Sequence, residues 1–330
     1  MRRRRTLAFL LAATIVATTG ATDAPARPTA EAAPTVPAAL LPQGITRSYY
    51  MADGSRAGAR NLGCAQGDKT GRMSLFFGAP TAVNGAYGAT LWGAPNMTTF
   101  GIAEVVKEFA RGYVWCRRST NYTLFIGIGT SNSTIDRRSD AWLRGHGRAW
   151  SGLVAIIAAW ADQHYPGRVR FYGAVDVEPS WSSFAKARQW MVGYDTVAGR
   201  RGVHANNSAD GCPQERYNNG ACNNGWNQER VWRVSWAWDP ALPIPQIYAT
   251  SGANARQWHM IDRYGVARGD GLYFYGAMAQ RAACRRVGEG CNGTDLTAQQ
   301  AHDYLLWYTN SHPATVQPRI DSPTDIDWHY

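Results

Sequence analysis

The sequence predicts an α/β fold, namely a single (β/α)8, TIM-barrel-like domain, regular or irregular. Short segments rich in β-branched and aromatic residues alternate with segments whose apolar residues recur at helical spacing. Some of the strand-like segments are apolar on both faces, which is typical of strands buried in a parallel sheet. The chain has 330 residues, and the part after an N-terminal processing region is long enough for one large domain of the barrel type or for two small domains.

Strands and helices can be placed in order along the chain. The predicted strands are short and bounded by Gly, Pro, Asn or Asp. They are Ser74–Phe77, Tyr122–Gly129, Val169–Val177, Val203–Asn206, Val231–Trp236, Pro245–Ala249 and Leu272–Tyr275. The predicted helices carry an apolar face at helical spacing. They are Ile102–Arg111, Ala141–Tyr165 with an interruption near Gly145–Gly147, Phe184–Ala198, and Ala298–Thr309.

Residues 1–24 have the pattern of a secretory signal peptide. The arginines Arg2–Arg5 precede an apolar stretch from Leu7 to about Val16, and small residues follow up to Ala24. This stretch is shorter than the roughly 20 apolar residues that span a bilayer. We therefore expect cleavage rather than anchoring, and no membrane span in the mature chain.

Residues 25–43 are rich in Ala, Pro and Thr and are predicted to be a disordered linker, because such a segment buries little apolar surface. The folded domain is then 44–330. We expect a secreted monomer, either extracellular or associated with the cell wall.

Six cysteines follow the predicted signal peptide. An even number and an oxidising destination predict three disulfides. Proximity favours Cys212–Cys222 and Cys284–Cys291, which would leave Cys64–Cys116, although six cysteines allow 15 connectivities. The sequence contains no C-x-x-C and no H-E-x-x-H or H-x-x-x-H pair, so we predict no zinc site.

The formal charge of the whole chain is +10, and it stays positive without residues 1–24. A basic secreted protein tends to associate with anionic surfaces such as cell-wall polymers. The basic residues form dispersed pairs, such as Arg137-Arg138 and Arg200-Arg201, rather than one stripe. We therefore predict no nucleic-acid partner. No G-x-S-x-G or P-loop pattern occurs and no Rossmann glycine pattern directly follows a predicted strand, so we expect no cofactor.

Asp176 and Glu178 are the candidate catalytic residues. They lie at the end of the predicted strand Val169–Val177, just before Pro179. Side chains at i and i+2 of a strand point the same way, and barrel enzymes place catalytic groups at the C-terminal ends of strands. Glycoside hydrolysis requires two carboxyl groups roughly 5–9 Å apart, one protonated and one ionised. The alternatives are that both carboxylates cap the following helix or bind calcium.

Polar and aromatic residues at or near other predicted strand ends are candidate substrate contacts, since sugars bind to aromatic faces and to amide groups. The selected residues are Asn132, Asn206, Trp236, Gln246, Tyr248 and Trp258. For most of the remaining aromatic residues we expect core packing.

The strand ending in Asp176-Val177-Glu178 resembles the D-x-E strand of the GH25 family of lysozyme-like muramidases, and the closing segment Thr324–Trp328 resembles the last strand of that family. The resemblance implies an irregular β/α barrel, with Glu178 as general acid and Asp176 as its electrostatic or nucleophilic partner. The early first-strand aspartate of that family has no clear counterpart here. The segments Asp210–Pro213 and Pro245–Tyr248 also resemble those of uncharacterised secreted bacterial proteins with glycoside-hydrolase-like barrels.

These observations predict a secreted glycoside hydrolase that acts on a cell-wall or extracellular polysaccharide, such as a peptidoglycan-type glycan, through Asp176 and Glu178. The alternative is a non-catalytic carbohydrate- or cell-wall-binding barrel, which the missing first-strand aspartate favours. A third alternative is a structural domain without a sugar site, in which both carboxylates would lie in salt bridges away from any cleft.

Overall fold

The computed structural model describes residues 44–67, 69–117, 123–288, 291–321 and 323–330. The predicted signal peptide and linker lie outside these residues. Within the described residues, no helix combines the length and the apolar character that crossing a membrane requires.

Eight of the strands form one parallel sheet. They are β1 (Thr46–Met51), β2 (Gly71–Phe76), β6 (Leu124–Ser131), β7 (Val169–Asp176), β8 (Val203–Ala205), β9 (Ala241–Pro243), β10 (Met278–Ala279) and β11 (Thr324–His329). Their order is β10-β11-β1-β2-β6-β7-β8-β9. Every pair of neighbours is parallel, so all the strands end at the same edge of the sheet. This edge is called the C-terminal edge below.

Helices connect consecutive strands of this sheet. They are α1 (Arg56–Ala65), α2 (Thr99–Cys116), α3 (Asp140–His164), α4 (Phe184–Asp195), α5 (Gln228–Trp232), α6 (Ala253–Val266), α7 (Arg281–Arg286) and α8 (Ala298–Thr309). A π-helical turn, Arg233–Ala237, continues α5. The predicted α/β class is therefore confirmed, because parallel strands that are neighbours in sequence need such crossovers.

Side chains mark where several of the helices begin. The Ser139 side chain accepts a hydrogen bond from Trp142 N–H at the start of α3, and Thr98 accepts one from Gly101 N–H at the start of α2. Such caps satisfy N–H groups that have no partner inside the helix. At the start of α8, Thr297 and Gln300 form a reciprocal capping box.

The sheet curls so that the chain beyond β9 reaches β10, at the opposite end of the strand order. Ile247 N–H donates to Met278 O (2.8 Å), and Met278 N–H donates to Pro245 O (2.9 Å). Gln246 and Met278 form an isolated parallel bridge. Backbone hydrogen bonds therefore join the two ends of the sheet at this point.

A small antiparallel sheet is inserted between β2 and α2. It consists of β3 (Ala79–Val83), β4 (Ala86–Thr90) and β5 (Met97–Thr98), and 79–98 is called the insertion below. The chain enters it at Gly78, whose φ of +88° favours glycine and whose Cβ, if present, would lie 2.0 Å from Thr90 O. Gly78 O accepts hydrogen bonds from Thr130 Oγ1–H and Ser131 N–H at the end of β6. The insertion therefore begins at the C-terminal edge.

The sequence prediction was wrong for two segments. Val231–Trp236 was predicted as a strand but lies in α5 and the π-helical turn. Its buried residues Val231, Val234 and Ser235 are spaced i, i+3 and i+4, so the same apolar pattern serves a helix. Leu272–Tyr275 contains no strand either. Side chains accept two of its N–H groups, because Asp262 Oδ1 accepts that of Leu272 and Gln317 Oε1 accepts that of Phe274. Tyr275 N–H donates to Pro243 O of β9 (2.8 Å).

Two further boundaries differ from the prediction. Helix α3 runs without interruption through Gly145–Gly147. A Cβ on Gly147 would lie 2.0 Å from the Trp190 carbonyl oxygen, so the glycine permits close packing against α4 rather than ending the helix. In the predicted strand Pro245–Ala249, the regular strand ends earlier, at Pro243, and only Gln246 forms a bridge.

The three disulfides expected from cysteine spacing are present. Cys64–Cys116 joins α1 to the end of α2, with Cα atoms 4.9 Å apart. Cys212–Cys222 and Cys284–Cys291 close loops with sequence separations of 10 and 7. All six cysteines are paired, so no free thiol is left to act as a nucleophile.

Candidate active site

The candidate carboxyl groups lie at the C-terminal edge, near the middle of the strand order. Asp176 is the last residue of β7, and Glu178 follows two residues later. Asp176 is only 1% exposed, whereas Glu178 is half-buried and reaches solvent. The two groups therefore share an environment, but only Glu178 is accessible to a ligand.

Asn132 holds the backbone of Glu178 in place. Its Oδ1 accepts a hydrogen bond from Glu178 N–H (3.0 Å), and its Nδ2 donates to Glu178 O (2.9 Å). Asn132 follows β6, the strand next to β7, and its own N–H donates to Asp176 O (3.1 Å). The amide thus replaces the sheet hydrogen bonds beyond the end of β7. Asn132 is a positioning residue rather than a substrate contact, since it is 3% exposed.

Gln246 connects the two carboxyl groups. Its Nε2 donates to Asp176 Oδ1 at 2.6 Å and to Glu178 Oε1 at 3.3 Å, and also to Asn206 O at 3.1 Å. The two carboxyl oxygens are therefore less than about 6 Å apart, below the roughly 6.5–9.5 Å of inverting glycosidases, which leave room for a water molecule between the groups.

The pair is buried without a compensating cation. Within the described part of the chain, no Arg, Lys or His forms an ion pair with either carboxyl group, and the charges that act on them are those of carboxylates. Burial, together with the negative charge of Asp210, raises the pKa of Asp176 to about 8. Burial, Asp176 and Asp210 raise the pKa of Glu178 well above its ordinary value. The site therefore retains at least one proton at neutral pH, since two buried neighbouring carboxyl groups do not both ionise easily.

Two tyrosines lie beside the carboxyl groups. Tyr50, in β1, and Tyr248, beyond β9, are both half-buried, and the pKa of each is raised well above its ordinary value, first by burial and also by the negative charges of Asp176 and Glu178. The hydroxyl groups of Tyr50 and Tyr248 interact with each other. Among the described residues, Asp176 Oδ2 is buried and has no hydrogen-bond partner. Buried polar atoms without partners are rare, so the Asp176 carboxyl group is only partly satisfied in its buried position.

A third carboxylate, Asp210, lies in the loop that follows β8. Ser208 N–H donates to Val177 O (3.1 Å), which places this loop beside the segment that carries Glu178. The Asp210 side chain is half-buried, and within the described residues it forms no ion pair. Its charge acts on both Asp176 and Glu178. Cys212–Cys222 closes the loop immediately after it.

Asn206 supports the site from within the sheet. A chain of hydrogen bonds runs from Arg72 to His204 Nε2 (3.3 Å), between His204 Nδ1 and Ser74 Oγ (3.4 Å), and from Ser74 Oγ–H to Asn206 Oδ1 (2.9 Å). Because Arg72 can only donate, Nε2 of His204 accepts and Nδ1 carries the hydrogen. Asn206 is fully buried. It fixes Gln246 through its carbonyl oxygen and does not face a ligand.

The two tryptophans expected to contact substrate lie elsewhere. Trp258, in α6, is fully buried and packs edge-on against Phe274, so it belongs to the core. Trp236 lies in the π-helical turn, and its Nε1–H donates to Asp270 Oδ1 (2.7 Å). The structure thus brings together Asp176, Glu178, Asn132, Asn206, Gln246 and Tyr248, but neither tryptophan.

Sequence reasoning selected neither Tyr50 nor Asp210 as site residues. Tyr50 lies next to the last residue of β1, which was not among the predicted strands, and Asp210 lies just before Cys212 in a loop that has no periodic signal. Their positions follow from the parallel sheet, which brings distant segments to one edge.

Comparison of the chain with protein-family models and with curated proteins finds no match. Among the described residues, no group of three or more His, Cys, Asp and Glu side chains is arranged to hold a metal ion.

Proposed function

We propose that this protein is a secreted glycoside hydrolase in which Glu178 is the general acid. The observation that carries this proposal is the buried pair of carboxyl groups, without a cation, that Gln246 holds at the C-terminal edge. An acid that protonates a glycosidic oxygen must keep its proton near neutral pH. The raised pKa of Glu178, together with its partial exposure, fits that requirement.

In the proposed reaction, Glu178 transfers its proton to the glycosidic oxygen as the bond from that oxygen to the anomeric carbon breaks. Asp176 is too buried to touch the sugar, so its role is electrostatic: it disfavours ionisation of Glu178. Asp210, half-buried and without an ion pair among the described residues, stabilises the positive charge that develops on the sugar ring. Water then supplies the hydroxyl group of the product and returns a proton to Glu178.

The fold proposed for this activity is a closed (β/α)8 barrel. The order of the strands around the sheet follows the order of the chain, and the hydrogen bonds between Pro245–Ile247 and Met278 lie where such a barrel would close. Barrel enzymes carry their active sites at the C-terminal ends of the strands. The resemblance of the Asp176–Glu178 strand to the GH25 muramidases also supports this proposal.

The proposed location is outside the cytoplasm, and the proposed substrate is a cell-wall or other extracellular polysaccharide. Three disulfides fit an oxidising compartment, and residues 1–24 have the pattern of a signal peptide. The basic charge of the chain favours binding to anionic wall polymers.

The test is hydrolysis of purified peptidoglycan and of chitohexaose by the mature protein and its Glu178→Gln variant. Loss of the general acid should reduce the rate by about 10²–10⁴-fold. Glu215→Gln is the matched control, because Glu215 is exposed, and it should keep full activity. Asp210→Asn should also lose most activity. Equal rates for the wild type and Glu178→Gln would refute the assignment of Glu178.

The second candidate function is a non-catalytic glycan-binding protein. The burial of Asp176 favours this second function, because a ligand can then reach only one of the two carboxyl groups, that of Glu178. So does Tyr50, which occupies β1, the strand in which the GH25 family carries its first aspartate. This function predicts that glycans bind without turnover and that Glu178→Gln binds them as well as the wild type.

A further inference from the structure

Four aromatic side chains, Tyr50, Trp92, Trp181 and Trp328, form a continuous cluster at the C-terminal edge. Tyr50 and Trp328 are register partners in the neighbouring strands β1 and β11, with ring centroids 4.7 Å apart. Trp92 lies 5.5 Å from Tyr50 and 5.7 Å from Trp328, and Trp181 lies 6.5 Å from Trp92. This cluster is called the aromatic platform below.

The platform adjoins the candidate active site at two points. Tyr50 lies close enough to Asp176 and Glu178 for their charges to act on its hydroxyl group. Trp181 follows Glu178 by three residues, and its N–H donates to Glu178 O (3.1 Å). The rings therefore extend from the carboxyl pair toward Trp92, which lies two residues after the end of the insertion strand β4.

All four residues are half-buried, so the platform is not part of the closed core. In contrast, Trp150, Trp226 and Trp258 are almost completely buried. The platform also contains a polar atom that lacks a partner, since Trp92 Nε1 is buried without a hydrogen bond in the structure. A buried indole N–H normally finds an acceptor. The platform thus offers ring surface at the edge of the site, whereas the indole N–H of Trp92 is buried.

The platform fits a neutral ligand. Described arginine and lysine side chains lie over several other aromatic rings, including Phe125, Trp142 and Tyr264. None of the cation–ring contacts among the described residues involves the four platform rings. A neutral ligand that presents C–H faces to the rings fits this surface, and a sugar does so.

We infer that the aromatic platform binds a further sugar unit of a glycan chain, next to the unit at Glu178, so that the protein recognises a polymer rather than a single sugar. This inference rests on the proposed glycan substrate, but not on turnover. It assigns a role to the insertion, which brings Trp92 to the C-terminal edge.

The experiment measures binding of chitohexaose and chitobiose to the Glu178→Gln protein by calorimetry, and its retention on insoluble peptidoglycan. In this background, Trp92→Ala and Trp181→Ala should each weaken chitohexaose binding about tenfold or more, because a stacked ring is lost. Binding of chitobiose should change less. Trp92→Phe, which keeps a ring, should retain most of the affinity.

Trp115→Ala and Trp307→Ala are the controls, because these tryptophans are 87% and 53% exposed and lie in α2 and α8, outside the cluster. Both should bind chitohexaose like the parent. Two results would overturn the inference: a parent that binds neither chitohexaose nor peptidoglycan, or platform variants that bind as tightly as the parent. Loss of binding in the platform variants of a protein that hydrolyses no glycan would support the platform while refuting the proposed hydrolase.

Discussion

Gln246 has two amide hydrogens and three acceptors, namely Asp176 Oδ1, Glu178 Oε1 and Asn206 O. These three acceptors outnumber the two hydrogens of the Gln246 amide. A proton on one of the two carboxyl groups supplies the missing hydrogen-bond donor. This is a local reason, independent of burial, for the pair to hold a proton. It also predicts that the pair costs the folded protein stability when it ionises.

The Asp176→Asn variant tests whether ionisation of the pair destabilises the folded protein. The folded-state pKa of Asp176 is raised from 3.8 to about 8. A raised pKa stabilises the fold below pH 4, and this contribution is lost as the pH rises through about 8. The neutral Asn avoids the loss, so the variant should unfold roughly 3–6 °C above the wild type at pH 9 and close to it at pH 5.

The control for this prediction is Asp239→Asn, since the Asp239 side chain is 86% exposed. It should not change the difference between pH 5 and pH 9. If Asp176→Asn were less stable than the wild type at pH 9, the carboxyl group of Asp176 would not carry the cost of ionisation inferred here.

Residue patterns predicted the carboxyl pair and its amide neighbours because alternation along a strand and strand ends in a parallel sheet are local properties. Asp176, Glu178, Asn132 and Gln246 follow from such patterns. The burial of Trp258 could not be predicted from such patterns, because the burial of a helix residue depends on what packs against it, here Phe274.

At the scale of elements, His146 joins the insertion to two helices. It lies fully buried in α3, and its Nδ1 accepts a hydrogen bond from Trp190 Nε1–H of α4 (2.8 Å). Its Nε2 therefore carries the hydrogen and donates to Gly88 O of β4 (2.8 Å). One side chain thus fixes the position of the insertion relative to the large sheet.

His146→Phe should keep the ring but leave Gly88 O and Trp190 Nε1 without partners, which costs about 2–4 kcal/mol of unfolding free energy. Hydrogen exchange of the insertion should accelerate more than that of β6 and β7. His146→Gln, which can form both hydrogen bonds, should recover part of the loss. Uniform exchange across the sheet would argue against a local role.

His146 also makes the stability of the folded protein depend on pH. Burial lowers its pKa from 6.5 to about 4. Its contribution to stability is therefore complete above pH 6.5 and lost as the pH falls through about 4. His146→Gln should remove that part of the acid destabilisation.

The sequence predicted some helices and strands correctly and others incorrectly, and the physical reasons differ between them. Helix α8 matches the prediction because its cap at Thr297 and its apolar face agree. The insertion was not predicted, since β3 and β4 are short and composed largely of Ala, Thr, Gly and Val. The strand pattern in Val231–Trp236 was misleading because apolar residues at i and i+3 fit a short helix equally well.

At the scale of the whole molecule, the three disulfides constrain loops of very different size. Their sequence separations are 52 for Cys64–Cys116, 10 for Cys212–Cys222 and 7 for Cys284–Cys291. Loop-closure entropy predicts a contribution of about 4 kcal/mol for the first and about 2–3 kcal/mol for each of the others.

Replacing each pair by serines, one pair at a time, should therefore destabilise the protein most when Cys64–Cys116 is removed. Urea denaturation at fixed pH measures the three losses. Removal of Cys212–Cys222 should in addition reduce glycan hydrolysis, because that bridge closes the loop after Asp210. A smaller loss for Cys64–Cys116 than for Cys284–Cys291 would contradict the entropic explanation.

Strand β1 pairs along its whole length with β11, so that Thr46 meets Thr324 and Met51 meets His329. Strand β1 can therefore pair with β11 only after almost 280 further residues have been synthesised. During translation, a nascent chain that still lacks β11 has an open edge at β1 and cannot complete its sheet. Such a chain acquires its final strand pairing only after the last segment has emerged.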